Sequence, residues 1–202
     1  MTGYQEVNLK QLIETVGEDR VKAILSDFSC PQNLDVEMFI RQKAITFAQQ
    51  SVASTHLVFA SYQSTPVFIG FYTIAIKQFT VKKSLLTRRL RDRLKKFASY
   101  NSELDRYDIP APLIGQLAKN FSHGYNSLIT GDELLKMACD RVRIAQMIIG
   151  GKIVYLECEN KPALIEFYKR NGFIAFSERP LDRDETSLMS GRTMIQMLRY
   201  FS

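Results

Sequence analysis

The chain has 202 residues, 46% hydrophobic and 24% charged, ordinary values for one soluble domain with a sizeable core, at most with a small appendage. The longest apolar run, Val67 to Ile76, is too short to span a bilayer, and MTGYQEVNLKQL carries neither a signal region nor an Arg-rich transit pattern. These features predict a cytoplasmic protein with no membrane partner. The net charge of +6 suggests an acidic partner without identifying one, and the excess is concentrated between Lys82 and Lys96.

In chain order, amphipathic patterns predict helices over Leu9–Val16 and Glu18–Asp27, separated by Gly17. SCPQN breaks the chain before a longer helix, Leu34–Gln49. Asn33 caps it, Asp35 and Glu37 suit its positive end, and Val36, Phe39, Ile40, Ala44 and Phe47 form its apolar stripe. Thr55–Ser61 and Val67–Val81, rich in β-branched and aromatic residues, flank a polar QSTP and read as a hairpin. The basic stretch KKSLLTRRLRDRLKK then reads as a helix with Leu85, Leu86, Leu90 and Leu94 on one face.

SYNSELDRYDIPAP reads as an irregular link into a strand at Leu113–Ala118, followed by a polar loop over residues 119–131. A helix runs from Asp132 to about Ile149, started by a capping box of Thr130 and Glu133 and stopped by Gly150 and Gly151. Strand Ile153–Cys158 leads to helix Lys161–Asn171, for which Asn160 is the cap, Pro162 the first turn and Gly172 the stop. A last strand covers Thr193–Tyr200. The order predicts an α/β (α+β) protein whose mixed sheet has helices on both faces, and the pattern alone names no reaction.

Cys30, Cys139 and Cys158 are odd in number and widely spaced, so neither a disulfide framework nor a zinc site is supported, and each is expected to pack as a small apolar group. His56 and His123 are the only histidines and lie far apart in sequence, which argues against a His-rich metal site.

Three blocks of residues carry a family resemblance. KIVYLECENKPALIEFYKRNGF (Lys152 to Phe173) is similar to the strand–helix–"FYxxxGF" signature of the GCN5-related N-acetyltransferases (GNAT). GQLAKN (Gly115 to Asn120) and GDELLKMA (Gly131 to Ala138) resemble that family's "GRLAVD" strand and "GxxLLxxA" helix. FSCPQNLDVEMFIRQKA (Phe28 to Ala44), with STHLVF and PVFIGFYTIA, resembles the branch of acetyltransferase toxins that acetylate the amine of aminoacyl-tRNA. The first two dozen residues, the Pro180 to Ser190 loop and a basic insertion at about 82–106 lie outside the resemblance.

The resemblance implies a single GNAT acyltransferase domain, with a mostly antiparallel central sheet, that moves acetyl from acetyl-CoA to a primary amine by direct attack in a ternary complex. The pantetheine arm would pair with the backbone of Leu117, Ala118 and Lys119, and the pyrophosphate would sit on the loop that includes Gly124, Asn126, Thr130 and Gly131. Asn160 would touch the cofactor arm, and Tyr168 would donate a proton to the leaving thiolate. No metal is implied, and a homodimer is possible because dimers are common among relatives.

The chain also departs from the family pattern. Asn126 stands for the Gln of the Q-x-x-G-x-G/A loop and Ile129 for its middle Gly. If that Gly has φ > 0 in relatives, the loop here follows another path, and His123-Gly124 is placed to supply the turn. Asp132 and Glu133 add carboxylates where a pyrophosphate should be welcome, and Gln116 stands for the family's Arg. Glu157 and Glu159 are candidates to deprotonate an incoming ammonium, or a solvated strand end. The basic segment 82–96 is either a solvated helix face or a track for tRNA phosphates. The acceptor is aminoacyl-tRNA or a protein or small-molecule amine. The competing class is a non-catalytic GNAT-fold module that binds RNA or protein.

Overall fold

The computed structural model describes residues 3–181 and 193–201, so the loop expected over Pro180–Ser190 lies outside them from residue 182 on. The chain packs as two compact units. One holds the residues up to Ala75 together with Ile114–Asp140, the other Ile76–Leu113 and the residues from Arg141 on.

The first unit opens with strand β1 (Gln5–Asn8), helices α1 (Leu9–Val16) and α2 (Glu18–Ser26), and a long helical segment. Gly17 separates α1 from α2 at φ 86°, a value that favours glycine. Asn33 caps α3 (Leu34–Met38) by accepting the Val36 N–H at 3.2 Å. A π turn over Phe39–Lys43 then leads into α4 (Ala44–Gln49). The residue that a π turn inserts keeps Phe39 and Ile40 buried beside Val36 and Ala44, so the expected stripe survives a break in helical period.

The predicted hairpin forms as β2 (Ser54–Tyr62) and β3 (Thr65–Lys82). Leu57 pairs with Phe71, and Phe59 with Phe68, which places these four on one face against α1 to α4. This is the core of the first unit. Phe28 anchors it, its ring 5.2 Å from Phe71 and 5.4 Å from Phe68.

In the second unit the expected basic helix is shorter. A 3-10 turn at Lys83–Leu85 precedes α5 (Arg88–Leu94), because the Thr87 hydroxyl accepts the Leu90 N–H and starts the helix there. Leu94 and Leu86 are buried, while Leu85 is 54% exposed and leaves the predicted stripe. The expected irregular link is a hairpin instead. Strand β4 (Ser99–Asn101) pairs antiparallel with β5 (Arg106–Lys119), and Asp105 closes the turn at φ 45°. Tyr107, Ile109 and Ala111 alternate inward, a period-two signal that the two prolines nearby obscure.

Helix α6 (Gly131–Ile149), strand β6 (Ile153–Glu159), helix α7 (Pro162–Arg170), strand β7 (Ile174–Pro180) and strand β8 (Thr193–Tyr200) complete the described chain. The edge strands β1 and β7 differ from the sequence expectation: β1 is short and mostly polar, and in β7 Phe176 is the one buried side chain. The strand order is β1-β2-β3-β5-β6-β8-β7, with β4 on β5. The architecture is thus α/β with a mostly antiparallel sheet, as predicted. The second core is built from Phe79, Val81, Leu94, Ile109, Tyr155, Phe176 and Leu198. All three cysteines are buried. Among the described residues, no helix is long and apolar enough to cross a membrane.

Candidate active site

Seven of the expected cofactor residues lie in the first unit. Leu117, Ala118 and Lys119 close β5, and the chain then enters a 3-10 segment over Ser122–Ser127. His123 and Gly124 turn there with φ 54° and 75°, and Ile129, buried at 2%, is not among the residues of positive φ. The loop therefore makes its left-handed turn at His123-Gly124 and none at Ile129. The Lys119 ammonium donates to the Asn126 carbonyl at 2.9 Å, and the Ser127 hydroxyl to the Gly124 carbonyl at 2.8 Å, which hold the loop against the strand end. The exposed His123 ring reaches the Asp27 carboxylate at 3.2 Å, so it tethers the loop to the end of α2.

The start of α6 is a full capping box. The Thr130 N–H and hydroxyl donate to Glu133 Oε2 at 2.8 and 2.7 Å, and the Glu133 N–H returns a bond to the Thr130 hydroxyl at 3.2 Å. The Tyr4 hydroxyl adds a donation to Glu133 Oε1 at 3.1 Å. Hydrogen bonds from Thr130 hold the Glu133 carboxyl below its usual range. The carboxylate stands among the amides where an anion would dock, and it already uses the Thr130 N–H.

Two supports of this corner escaped the sequence reading. Asn120 is 1% exposed, and its side chain accepts the Ser29 and Ser122 N–H groups, each at 3.0 Å, while donating to the Phe68 carbonyl at 2.9 Å. Gly70 lets β3 approach β5: a Cβ there would lie 2.9 Å from the Ala118 carbonyl oxygen and 3.3 Å from Leu134. A polar residue at the end of an apolar strand was the available hint for Asn120. Nothing local marks Gly70.

In the second unit Tyr168 lies in the last half of α7, its ring 4.9 Å from Phe167 and 5.9 Å from Phe173. Its carbonyl accepts the Asn171 and Phe173 N–H groups, and Gly172 turns the chain at φ 82°. Burial pushes the Tyr168 phenol well above its usual range, with the neighbouring Cys158 adding to it. Cys158 itself is pushed up to about 11, mainly by burial. Near neutral pH the phenol therefore keeps its proton and the thiol is no nucleophile.

Asn160 does not cap α7. Lys161 takes that position without a side-chain bond, and the Asn160 amide instead donates to Glu178 at 3.4 Å. The cause is local geometry: Lys161 N–H bonds the Glu159 carbonyl at 2.6 Å, which moves the helix start one residue on. Glu157 and Glu159 are not solvated strand ends either. Arg179 donates to Glu157 at 2.6 and 2.8 Å and Gln196 at 2.7 Å, while the buried Glu159 lies 2.7 Å from the Lys161 ammonium. Glu157 lines a cavity of about 770 Å³ with Lys77, Lys82, Arg106, Arg179 and Gln196. With its oxygens engaged by Arg179 and Gln196, Glu157 contributes to a cavity lined by charged groups.

On α5, Arg88, Arg89, Arg93 and Lys96 line a surface notch of about 540 Å³ with Asp92 and Tyr200, and the Arg93 guanidinium lies 5.2 Å from the Tyr200 ring centre.

No family model matches the sequence, and no curated protein does. Solved structures do match the fold. A bacterial toxin superposes with a TM-score of 0.62 and 16% identity over 99% of this chain and 92% of its own. AtaT complexed with acetyl-methionyl-tRNAfMet gives 0.62 and 16%, covering 96% of this chain and 94% of that one. AtaTR bound with acetyl-CoA gives 0.56 and 18%, covering 95% and 92%. The chain therefore has the GCN5-related N-acetyltransferase fold seen in the AtaT and KacT toxin structures.

Proposed function

We propose that the chain is a single-domain, acetyl-CoA-dependent N-acetyltransferase of the cytoplasm, with the amine of an aminoacyl-tRNA as its first candidate acceptor. The observation that carries this reading is Tyr168, a phenol held protonated beside β6 in a fold shared over nearly its whole length with acetyl-CoA-bound and acetylated-tRNA-bound toxins. Acetyl-CoA would supply the acyl group as a thioester. The backbone of Leu117 to Lys119 would hold the extended arm, and its N–H groups would meet the oxyanion as it develops.

The loop fits an anion in part. Lys119 places a cation against it, and the His123-Gly124 turn closes it, but Glu133 occupies some of the anion's space. Thr130, Gly131, Asn126 and Gly124 are the contacts proposed for the pyrophosphate, and Asn160, freed from capping, for the arm. The amine attacks the carbonyl carbon, the C–S bond breaks, and Tyr168 hands its proton to the thiolate and regains one from solvent. The ammonium loses one proton to water before attack and the nitrogen a second to water from the tetrahedral adduct, since Glu157 is engaged by Arg179. The exposed cations of α5 suit tRNA phosphates, and a homodimer would bring two such tracks together.

Calorimetric titration with acetyl-CoA tests the reading. Micromolar binding supports it, and no binding at millimolar concentration would leave the RNA- or protein-binding module as the better account.

A further inference from the structure

Across β1 and β2, the first unit gathers a carboxylate, an imidazole and a hydroxyl that sequence separation hides. In the β1–β2 register Asn8 pairs with His56 and Glu6 with Val58. Ser54 lies two residues before His56, so the pleat puts Glu6, Asn8, Ser54 and His56 on one face. Glu6 Oε1 is 3.0 Å from His56 Nδ1, and Ser54 Oγ is 3.0 Å from His56 Nε2. An ionised carboxylate can only accept, so Nδ1 carries a proton, and in the neutral ring Nε2 presents its lone pair to the Ser54 hydroxyl.

The imidazole is fixed in place. It is 7% exposed and stacks on the Tyr72 ring at 5.0 Å and 12°. Ser54, by contrast, is exposed at the open start of β2. Asn8 supplies a placed donor: its Oδ1 accepts the Lys10 and Gln11 N–H groups at 3.0 and 3.3 Å, which turns Nδ2 toward Ser54 Oγ at 3.0 Å. A donor there is within reach of an oxyanion formed by attack from Oγ.

We propose that Ser54 is a nucleophile with His56 as its base and Glu6 orienting the imidazole, and that it reacts with small activated acyl esters. Oγ attacks the ester carbonyl as its proton passes to His56 Nε2. The ester C–O bond breaks, His56 protonates the departing alkoxide, and an acyl-Ser54 ester remains. Water, deprotonated by the same nitrogen, then attacks the acyl carbon, the acyl C–Oγ bond breaks, and His56 returns the proton to Oγ as the carboxylic acid leaves. An exposed hydroxyl with one fixed donor beside it suits an acyl group as small as acetyl.

The test incubates the full chain with p-nitrophenyl acetate and follows p-nitrophenolate release and the peptide map. The expected result is a burst stoichiometric with protein and an acetyl group on Ser54. Ser54→Ala removes both, and His56→Gln slows acylation roughly 10²- to 10⁴-fold. Since His56 is buried, Glu6→Gln serves as the second variant: it keeps a hydrogen-bonding partner for the ring yet slows labelling of Ser54 while the melting temperature holds. Acetyl groups on lysines with Ser54 unmodified, or an unchanged burst in Ser54→Ala, would overturn the proposal.

Discussion

The starts of α6 and α7 are built on opposite plans. At α6 the chain satisfies its own amides: Thr130 and Glu133 exchange three hydrogen bonds, and Tyr4 reaches in from outside. At α7 there is a proline in the first turn and no side-chain cap, and the neighbouring carboxylates are engaged elsewhere, by Arg179 and Lys161. A helix N-terminus attracts an anion in proportion to the donors left over, so the same macrodipole is partly answered at α6 and answered by no side-chain cap at α7. The start of the helix in the GDELLKMA block is the more self-contained of the two, and the chemistry is proposed at the far end of α7.

The largest expected effect breaks the α7 plan. Tyr168→Phe should keep acetyl-CoA affinity and melting temperature while lowering turnover roughly 10²- to 10⁴-fold, the usual worth of a positioned acid. Isothermal titration beside a single-turnover assay separates the two quantities, and full turnover in the variant would remove Tyr168 from the mechanism.

Next in size is the polar support of the α6 corner. Asn120→Ala strands two N–H groups and a carbonyl in the interior and should cost about 3 kcal/mol, read as a lower urea midpoint with an unchanged slope. Gly70→Ala should act on the same corner by sterics. Its methyl would press on the Ala118 carbonyl and Leu134, lowering stability by about 1–3 kcal/mol and weakening acetyl-CoA binding through the shifted strand end. Unchanged affinity in a destabilised Gly70→Ala variant would separate the packing of β5 from the proposed arm contacts.

The two corners were also unequally legible. Capping chemistry is local, so Thr130-Glu133, Asn33, Gly17 and Gly172 were readable from neighbours in the chain. Asn160 looked like a cap by the same rule and failed because the Lys161 N–H bonds the Glu159 carbonyl and shifts the helix start. The basic segment misled through its leucine spacing: a seven-residue helix follows a 3-10 turn that Thr87 separates from it. Asn120, Gly70, the Glu157–Arg179 pair and the Glu6–His56–Ser54 cluster each join residues far apart in sequence. Only the strand register brings them together, and a pattern of propensities does not contain that register.

The smallest expected effect sharpens the contrast at α6. Glutamine can keep the capping-box geometry, so Glu133→Gln should leave the melting temperature near neutral pH almost unchanged while removing a negative charge from the anion's path. Acetyl-CoA affinity should then rise roughly two- to fivefold, the range of a charge at a helix end, and the gain should shrink with added salt. The pH dependence gives an independent check. The folded-state pKa of Glu133 lies below its ordinary 4.5 because the ionised form accepts the Thr130 bonds. Its contribution is therefore complete above 4.5 and is lost as pH falls through the lower folded value, where the carboxylate must take up a proton. Melting curves of wild type and Glu133→Gln should run together above that range and separate below it, the wild type falling further, because only the wild type loses a charge-dependent cap. Parallel curves down to the acid limit, with no gain in affinity, would mean that the carboxylate neither guards the α6 amides nor competes with a phosphate for them.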